Sequence, residues 1–320
     1  MRILTQILLL AVPLAACRKS AEAPPALPPL QGVEMVRYGA MPHQTLRYQL
    51  TKGVKTAVEM EIDTDVSAPT FQRTMPTTVT VMELGADDVL PDGNAKVRTT
   101  ILRASARERP GAQTSVEAAN AQGMLLSGVE ITGTLTPRGK ILEPRLAGSA
   151  NLPPGTAEGL SELVARSEEV AMPLPEPGVG VGAIWRVRRD ATQLGIKMET
   201  LTEIEVTALE GQRVTYALRT EVKGADQHAM IEGVDVAVTN VRGNGSGKGV
   251  IDLGRMAIYG EQSLELGFDL AAMKESGSVK MRTVKRLKAT AATATAEPAP
   301  APPESKPAPK PGVPPDPGAH

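Results

Sequence analysis

The sequence of 320 residues has few of the side chains that most ligand-binding and catalytic sites require. Only 2% of the residues are aromatic, which argues against a surface that stacks sugars or bases. The chain has only three histidines and one cysteine, and these are the residue types on which many metal sites and catalytic triads depend. The 35 Lys and Arg residues are balanced by 36 Asp and Glu residues, which excludes the broad basic surface of a nucleic-acid-binding protein.

The start of the chain carries the most specific signal. Arg2 is followed by a mostly apolar run from Ile3 to Val12. This run is too short for a permanent membrane helix, which needs about 20 apolar residues, and it is typical of a secretory signal. It leads into Leu14-Ala15-Ala16-Cys17. An ordinary cleaved signal with an incidental cysteine is the alternative interpretation.

The tetrapeptide Leu14-Ala15-Ala16-Cys17 resembles the lipobox of bacterial lipoproteins. The resemblance implies cleavage before Cys17, diacylation of its thiol, and acylation of the new amino terminus. Cys17 is the only cysteine, so we expect an exported domain without a disulfide. Arg18 differs from the aspartate of an inner-membrane retention signal. We therefore expect a bacterial envelope protein held in a membrane by lipid, in the outer membrane or at the surface rather than in the inner membrane.

Both ends of the mature chain are rich in proline. Residues 17–32 are predicted to form a semi-rigid stalk that lifts the folded part off the membrane, because dense proline favours extended conformations. Residues 289–320 contain Ala, Thr and Pro but almost no large apolar side chains. We predict that this tail is disordered. It is either inert or a tether to peptidoglycan or to a partner.

Between these ends the dominant pattern has a period of two. Apolar and polar residues alternate along 58–66, 204–208 and 214–218, which predicts antiparallel strands with one packed face and one wet face. Turn signals separate the runs, at Pro91-Asp92-Gly93-Asn94, Pro137-Arg138-Gly139-Lys140, Glu210-Gly211-Gln212 and Asp252-Leu253-Gly254-Arg255. The predicted fold is mainly β, with antiparallel curved sheets or half-barrels.

One segment has a helical pattern instead. Apolar residues recur at helical spacing after Thr156, a candidate N-cap, and charged residues fill most of the other positions. We predict an amphipathic linker helix within 151–172, followed by a stiff connector through Pro173, Pro175 and Pro177.

The segments on the two sides of this helix resemble each other. Each contains a hairpin, then a strand, a glycine turn and another strand, in the same order. The hypothesis is a tandem duplication, with one half at 33–150 and the other at 173–288. The alternative is a chance likeness between strand-rich sequences of similar composition.

The strand rhythm and the lipobox together resemble the half-barrel carriers that sort lipoproteins in the periplasm. That resemblance implies a concave face that holds acyl chains. The layout of lipobox, proline-rich stalk, β domain and Pro/Ala tail is also similar to that of anchored lipoproteins of high-GC bacteria.

Five other patterns are candidates for chemical or binding sites. The glycine-rich run 243–249 lacks the first glycine of a phosphate-binding loop, because Arg242 stands there, and Gly249 replaces the Ser or Thr after Lys248. We predict a glycine-rich loop that enters a strand. The acidic row Glu59, Glu61, Asp63 and Asp65 is either a pair of catalytic carboxylates or, as we predict, a solvated strand face paired with bases such as Arg98 or Arg188.

The remaining candidates also have simpler explanations. Asp87, Asp88, Asp92 and Asn94 could offer oxygen ligands to calcium, but a hairpin turn accounts for them. His43 and His228 are isolated in sequence and are expected to be structural or exposed. The thirteen methionines either fill the core or form a soft interior that accepts a lipid or an apolar peptide.

These patterns predict no catalytic, cofactor-binding or metal-binding residues, and one lipidation site, Cys17. The expected function is that of a lipid-anchored, non-enzymatic envelope protein whose β domain is a binding or assembly module. The partners would be the membrane, through the lipid, and an apolar ligand or another envelope protein. A carrier of acyl chains or lipoproteins and a carboxylate-dependent hydrolase are the alternatives.

Overall fold

The computed structural model describes residues 32–69, 71–124, 126–147, 171–193, 195–231, 234–272 and 275–289. Its strands are β1 Val33–Arg37, β2 Lys55–Ala68, β3 Phe71–Thr74, β4 Thr77–Val89, β5 Ala95–Arg107, β6 Glu130–Leu135, β7 Ile141–Ala147, β8 Ile184–Gln193, β9 Ile196–Glu210, β10 Arg213–Lys223, β11 Gln227–Ile231, β12 Val234–Asp252, β13 Ala257–Ala272 and β14 Glu275–Ala289. In the described residues the helix is α1, Val116–Met124. None of the described helices is long and apolar enough to cross a membrane.

The strands form one antiparallel sheet, which confirms the predicted fold class. The order along the sheet is β1-β8-β9-β10-β12-β13-β14-β2-β4-β5-β6-β7, with β3 paired to β2 and β11 paired to β12. The path does not close on itself, so the sheet is open. Its amino-terminal and carboxy-terminal portions are joined where β14 pairs with β2. The two segments that look alike in sequence therefore share one sheet.

The predicted hairpins are confirmed. The turn at 91–94 joins β4 to β5, and the turn at 210–212 joins β9 to β10. The turns at 137–140 and 252–255 join β6 to β7 and β12 to β13. Both segments run as meanders, but this order is general among antiparallel sheets, so the duplication stays a prediction.

Several predicted segments lie outside the described residues. These are the signal at 1–16, the stalk up to residue 31, residues 151–170 of the linker helix and the tail from residue 290. Within the described part, Ala171 and Met172 are irregular rather than helical. Helix α1 was not predicted; it contacts β5 through Asn120, whose Oδ1 accepts a hydrogen bond from the backbone of Ala106.

The largest core lies where the ends of strands from the amino-terminal and carboxy-terminal portions of the sheet come together. It includes Val97 from β5, Leu135 from β6, Trp185 from β8 and Tyr216 from β10. Because residues from distant strands share this cluster, the sheet must curve around it. The predicted curvature follows directly from where the apolar side chains converge.

Two irregular segments, 44–50 and 171–183, fill the space inside this curve. Tyr48 is buried, and its hydroxyl accepts a hydrogen bond of 2.9 Å from the backbone of Met172. Arg47 donates to the carbonyl oxygens of Pro175 and Glu176 at 3.0 and 2.9 Å. These bonds satisfy backbone groups that irregular chain would otherwise bury without partners.

A second apolar cluster lies toward the other end of the long strands. It contains Met198, Val222, Leu266, Phe268 and Met281. These residues belong to β9, β10, β13 and β14. A third, smaller cluster contains Ile101, Ala104 and Val129. The two larger clusters are the two cores of the sheet.

Candidate functional surfaces

The chain enters the described structure beside an edge of the sheet. The carbonyl oxygen of Gly32 accepts a hydrogen bond of 2.7 Å from the backbone of Arg188, and β1 pairs with β8. Cys17, the predicted lipidation site, lies outside the described residues, fifteen positions before Gly32.

The acidic row on β2 lies beside basic residues from other strands. Glu61 is buried although it carries a carboxylate, and its side chain is only 5% exposed. Its Oε1 lies 3.0 Å from Nζ of Lys288 on β14 and 3.1 Å from Nη2 of Arg107 on β5. These partners come from both portions of the sheet, so the ion pairs cross the β14–β2 junction.

The next two carboxylates are held in the same way. Asp63 lies 2.7 Å from Nη1 of Arg286 and accepts a hydrogen bond of 2.5 Å from the hydroxyl of Thr77. Asp65 lies 2.8 Å from Nη2 of Arg109. The row is therefore a set of charge-assisted hydrogen bonds rather than a pair of free carboxylates.

The ion pairs change the acidity of these groups. A hydrogen bond from Lys288 is the main reason that the pKa of Glu61 is lowered, against the opposing effect of burial. Burial would raise the pKa of Asp63, but hydrogen bonds from Thr77 and Arg286 outweigh it and lower the value. Arg109 lowers the pKa of Asp65. All three are carboxylates at neutral pH, so they suit structure better than proton transfer.

The sequence prediction was right about ion pairing but wrong about the bases, and the predicted solvated face is wrong at Glu61, which is buried, and at Asp63, whose side chain is only 14% exposed. Arg98 pairs with Asp87 at 3.0 Å and with Glu130, and Arg188 pairs with Glu199 at 2.5 Å. The alternating pattern separates the two faces of β2 but does not show which strands lie beside it, because its partner β14 is far away in the sequence.

We expect the acidic row to make stability depend on pH. The pKa values of Glu61 and Asp63 in the folded protein lie below the ordinary values of 4.5 and 3.8. Their stabilisation is therefore present above those ordinary values and is lost as pH falls through the lower folded values. Glu61→Gln should lower the free energy of unfolding by about 2 kcal/mol at neutral pH, and its difference from the wild type should shrink below about pH 4. Urea denaturation across this range measures both.

Glu59→Gln is the matched control. Glu59 lies two residues earlier on β2, and among the ion pairs of the described residues none involves it. Its substitution should have a small effect that changes little with pH. A Glu61→Gln effect that is equally large at about pH 3 would contradict an electrostatic role for the buried carboxylate.

The glycine-rich run is a strand, so the predicted loop is wrong. Residues 243–249 lie in the interior of β12, and their backbone pairs with β10 and β13. The alternate glycines lie on one face, where an added Cβ at Gly245 would come within 2.6 Å of the backbone oxygen of Ser263. The glycines therefore permit a close approach between the backbones of neighbouring strands. The high glycine content alone predicts a loop and does not reveal this packing.

The remaining sequence candidates do not converge on a common point. Asp92 accepts the backbone N–H of Asn94 at 3.0 Å in the predicted hairpin turn, while Asp88 pairs with Lys52. His43 lies 3.3 Å from the carbonyl oxygen of Gly39, and His228 lies 3.1 Å from Asp235. Across the described ranges, no group of three His, Cys, Asp or Glu residues is arranged to hold a metal ion.

The inner face of the sheet is mixed rather than uniformly apolar. Met198, Met256 and Met281 are buried inside the two cores. Between the cores, one row of paired positions crosses six strands: Thr202, Thr220, Gly245, Leu264, Thr283 and Thr64. The hydroxyls of Thr202 and Thr220 lie 3.1 Å apart. Four of these six residues are threonines, whereas Leu264 packs against the second apolar cluster, so the boundary between the clusters is only partly polar.

A small cavity lies where the chain enters the sheet. Its volume is about 220 Å³ and it is lined by Gly32, Val33, Glu34, Arg186, Arg188 and Leu201. Arg186 is paired with Glu203 at 3.1 Å, and Arg188 with Glu199. Since both cations already have carboxylate partners, the cavity offers little to an anionic ligand.

No model of a known protein family matches this chain, and no curated protein matches it.

Sequence reasoning did not identify Arg47, Arg138 and Glu176 as a structural group. Arg138 is buried, with its Nη1 3.7 Å from Oε2 of Glu176, and its Nε lies 3.4 Å from the carbonyl oxygen of Leu174. Glu176 lies between Pro175 and Pro177, which resembles an exposed connector in sequence, and Arg138 lies in the turn between β6 and β7. The fold places the half-buried Glu176 beside the buried Arg138.

Proposed function

We propose that this chain is a lipid-anchored, non-enzymatic protein of the bacterial envelope, in which the sheet is a binding or assembly module on a stalk. The observation that carries the proposal is Leu14-Ala15-Ala16-Cys17, in which the only cysteine occupies the position that a lipobox requires. Two or three acyl chains make a stable anchor, because each buried CH₂ contributes about 0.8 kcal/mol and one chain alone binds reversibly.

The length of the segment before the sheet supports this arrangement. Residues 17–31 would reach about 46 Å if extended at about 3.1 Å per residue. Arg18 and Lys19 directly follow the anchor and add about 1 kcal/mol each on an anionic leaflet. Arg18 also favours the outer membrane or the surface over the inner membrane.

The ion pairs of the acidic row support a non-enzymatic role. Glu61, Asp63 and Asp65 are each held by Lys or Arg. General acid–base chemistry requires a carboxyl whose pKa lies near the working pH, whereas these three have lowered pKa values. The hydrolase alternative therefore has less support than the assembly module.

The polarity of the inner face of the sheet is relevant to the alternative function, a carrier of acyl chains or lipoproteins. An acyl chain needs a continuous apolar surface. The four threonines in the row from Thr202 to Thr64 make the face between the two clusters partly polar, which favours the carrier less than the assembly module. Co-purified fatty acid in native mass spectra of the delipidated chain would favour the carrier instead.

The decisive experiment is Cys17→Ser in a bacterial host grown with an alkyne fatty acid. We expect the wild-type chain to incorporate the label and to enter the detergent phase. The variant should incorporate none and retain its leader, because the thiol that accepts the lipid is absent. Mass spectrometry of the amino-terminal peptide identifies the cleavage site and the acyl groups.

Ser20→Ala is the control, because it changes a nearby hydroxyl and keeps the cysteine. It should be labelled and processed like the wild type. An unlabelled wild-type chain that is cleaved at the same site as the Cys17→Ser variant would overturn the proposal and favour an ordinary secretory signal.

A further inference from the structure

A small apolar patch projects from the sheet close to where the chain enters it. Met41 is 77% exposed and Tyr38 is 52% exposed. Val181 and Val36 are about half exposed as well. Val36 and Tyr38 lie at the end of β1 and just after it, whereas Val181 lies in the segment before β8. We call these four residues the apolar patch.

The two loops that carry the patch are held together through their backbones. Ala40 donates to the carbonyl oxygen of Val181, and Gly180 donates to that of Tyr38, both at 2.8 Å. Further along, Gln44 and Val179 exchange backbone hydrogen bonds of 2.8 and 2.9 Å. The loops therefore present a preformed surface rather than a loose tip.

Close packing of glycine fixes the same pair of loops. A Cβ on Gly180 would lie 1.7 Å from the carbonyl oxygen of Ala40, and one on Gly39 would lie 2.5 Å from that of Gly180. The two backbones are in contact, so the positions of the loops that carry Tyr38 and Met41 are fixed relative to each other. Holding several apolar side chains in water is a feature of interaction surfaces.

The size of the patch favours a membrane over a protein. A stable protein interface uses about 20–30 residues on each side, and this patch has four. A few apolar side chains are sufficient for a contact that only supplements a lipid anchor. Tyr38 combines a ring with a hydroxyl, which suits the water–lipid boundary. Arg37 beside it is half exposed but pairs with Glu205 at 3.3 Å and donates to the carbonyl oxygen of Gly182 at 2.7 Å, so the contact with lipid rests on the apolar side chains.

The position of the patch along the chain also fits. Tyr38 is 21 residues from Cys17. Residues 17–31 would reach up to about 46 Å if they were extended, which exceeds the length of β1, about 16 Å for five residues. A lipid on Cys17 would therefore keep the patch within reach of the bilayer at high effective concentration.

We infer that the apolar patch is a second membrane contact, which inserts into the headgroup region of the bilayer that holds the lipid on Cys17. This inference rests on the proposed lipid anchor. In this arrangement, residues 17–31 act as a tether rather than as a spacer. The sheet lies on the membrane with its β1 edge toward the bilayer.

The test uses the lipidated full-length chain, in which the only native cysteine is blocked by its lipid. Met41→Cys then supplies one thiol for an environment-sensitive fluorophore. In vesicles of phosphatidylethanolamine and phosphatidylglycerol, with brominated acyl chains in place of part of the lipid, we expect quenching and a blue shift of the emission. Adding Tyr38→Ser and Val181→Ser to this labelled chain should reduce both.

Leu102→Cys and Met124→Cys are the matched controls, because both native side chains are at least half exposed and lie away from the patch, on β5 and at the end of α1. Their probes should show neither effect. An unquenched probe at position 41, or equal quenching at all three positions, would overturn the inference. Flotation of the same samples separates the two proposals: a chain that does not float with vesicles contradicts the lipid anchor, whereas a floating chain with an unquenched probe contradicts only the patch contact.

Discussion

Trp185→Ala is expected to lower the free energy of unfolding by about 3–5 kcal/mol, the usual result of removing a buried aromatic ring. Trp185 is fully buried in the larger core, and its Nε1–H donates a hydrogen bond of 3.0 Å to the carbonyl oxygen of Pro173. It thereby joins β8 to the irregular segment 171–183. Urea denaturation followed by circular dichroism measures the change, since this residue is the only tryptophan of the chain.

Trp185→Phe separates packing from hydrogen bonding. Phenylalanine keeps most of the apolar contact but leaves the carbonyl oxygen of Pro173 without its donor, which costs about 1–3 kcal/mol. The expected order of stability is therefore wild type, then Trp185→Phe, then Trp185→Ala. Equal losses for the two variants would mean that the hydrogen bond, not the ring, fixes the segment.

Gly249→Ala is expected to have the second large effect. An added Cβ would lie 2.2 Å from the backbone oxygen of Tyr259 on β13 and 2.8 Å from the hydroxyl of Tyr216 on β10. Because a backbone atom cannot rotate away, the strands must separate, and we expect a loss of about 3 kcal/mol, at the upper end of the overpacking range. The fluorescence of Trp185 during urea denaturation provides the measurement.

Gly267→Ala, on the neighbouring strand β13 and toward the other end of the long strands, is the control. A Cβ there would meet its nearest backbone atoms, the carbonyl oxygens of Arg242 and Val279, at 3.8 and 3.9 Å, which is ordinary contact. The variant should match the wild type or exceed its stability by up to about 1 kcal/mol, because alanine restricts the unfolded chain. If both substitutions are equally harmless, close backbone approach is not what β12 requires.

The sequence predicted the local structure of the sheet well. Alternation along β2, β9 and β10 and the four turn signals are determined by neighbouring residues, which a linear pattern contains. The sequence patterns did not predict the short strands β3 and β11 or the helix α1, because each element is too short to show a clear periodicity of apolar residues. The glycine-rich part of β12 was assigned to a loop, since its role depends on the neighbouring strands.

Non-local arrangement was much less predictable. The acidic row was identified from β2 alone, but its partners Lys288 and Arg286 lie more than 220 positions away. The apolar patch was not identified at all. Tyr38 and Val181 become neighbours only through the backbone bonds between their loops, and neither segment has an unusual composition.

The placement of β14 between β13 and β2 has a consequence for the order of folding. When a polypeptide is delivered amino terminus first, β2 emerges early and residues 69–274 all follow before its partner β14 begins. Until then one edge of β2 has no partner, which invites association with other chains. Pairing between such distant segments is intrinsically slow, so we expect β14 to be the last strand to join the sheet. A chain truncated before β14 would keep an unpaired edge on β2 permanently.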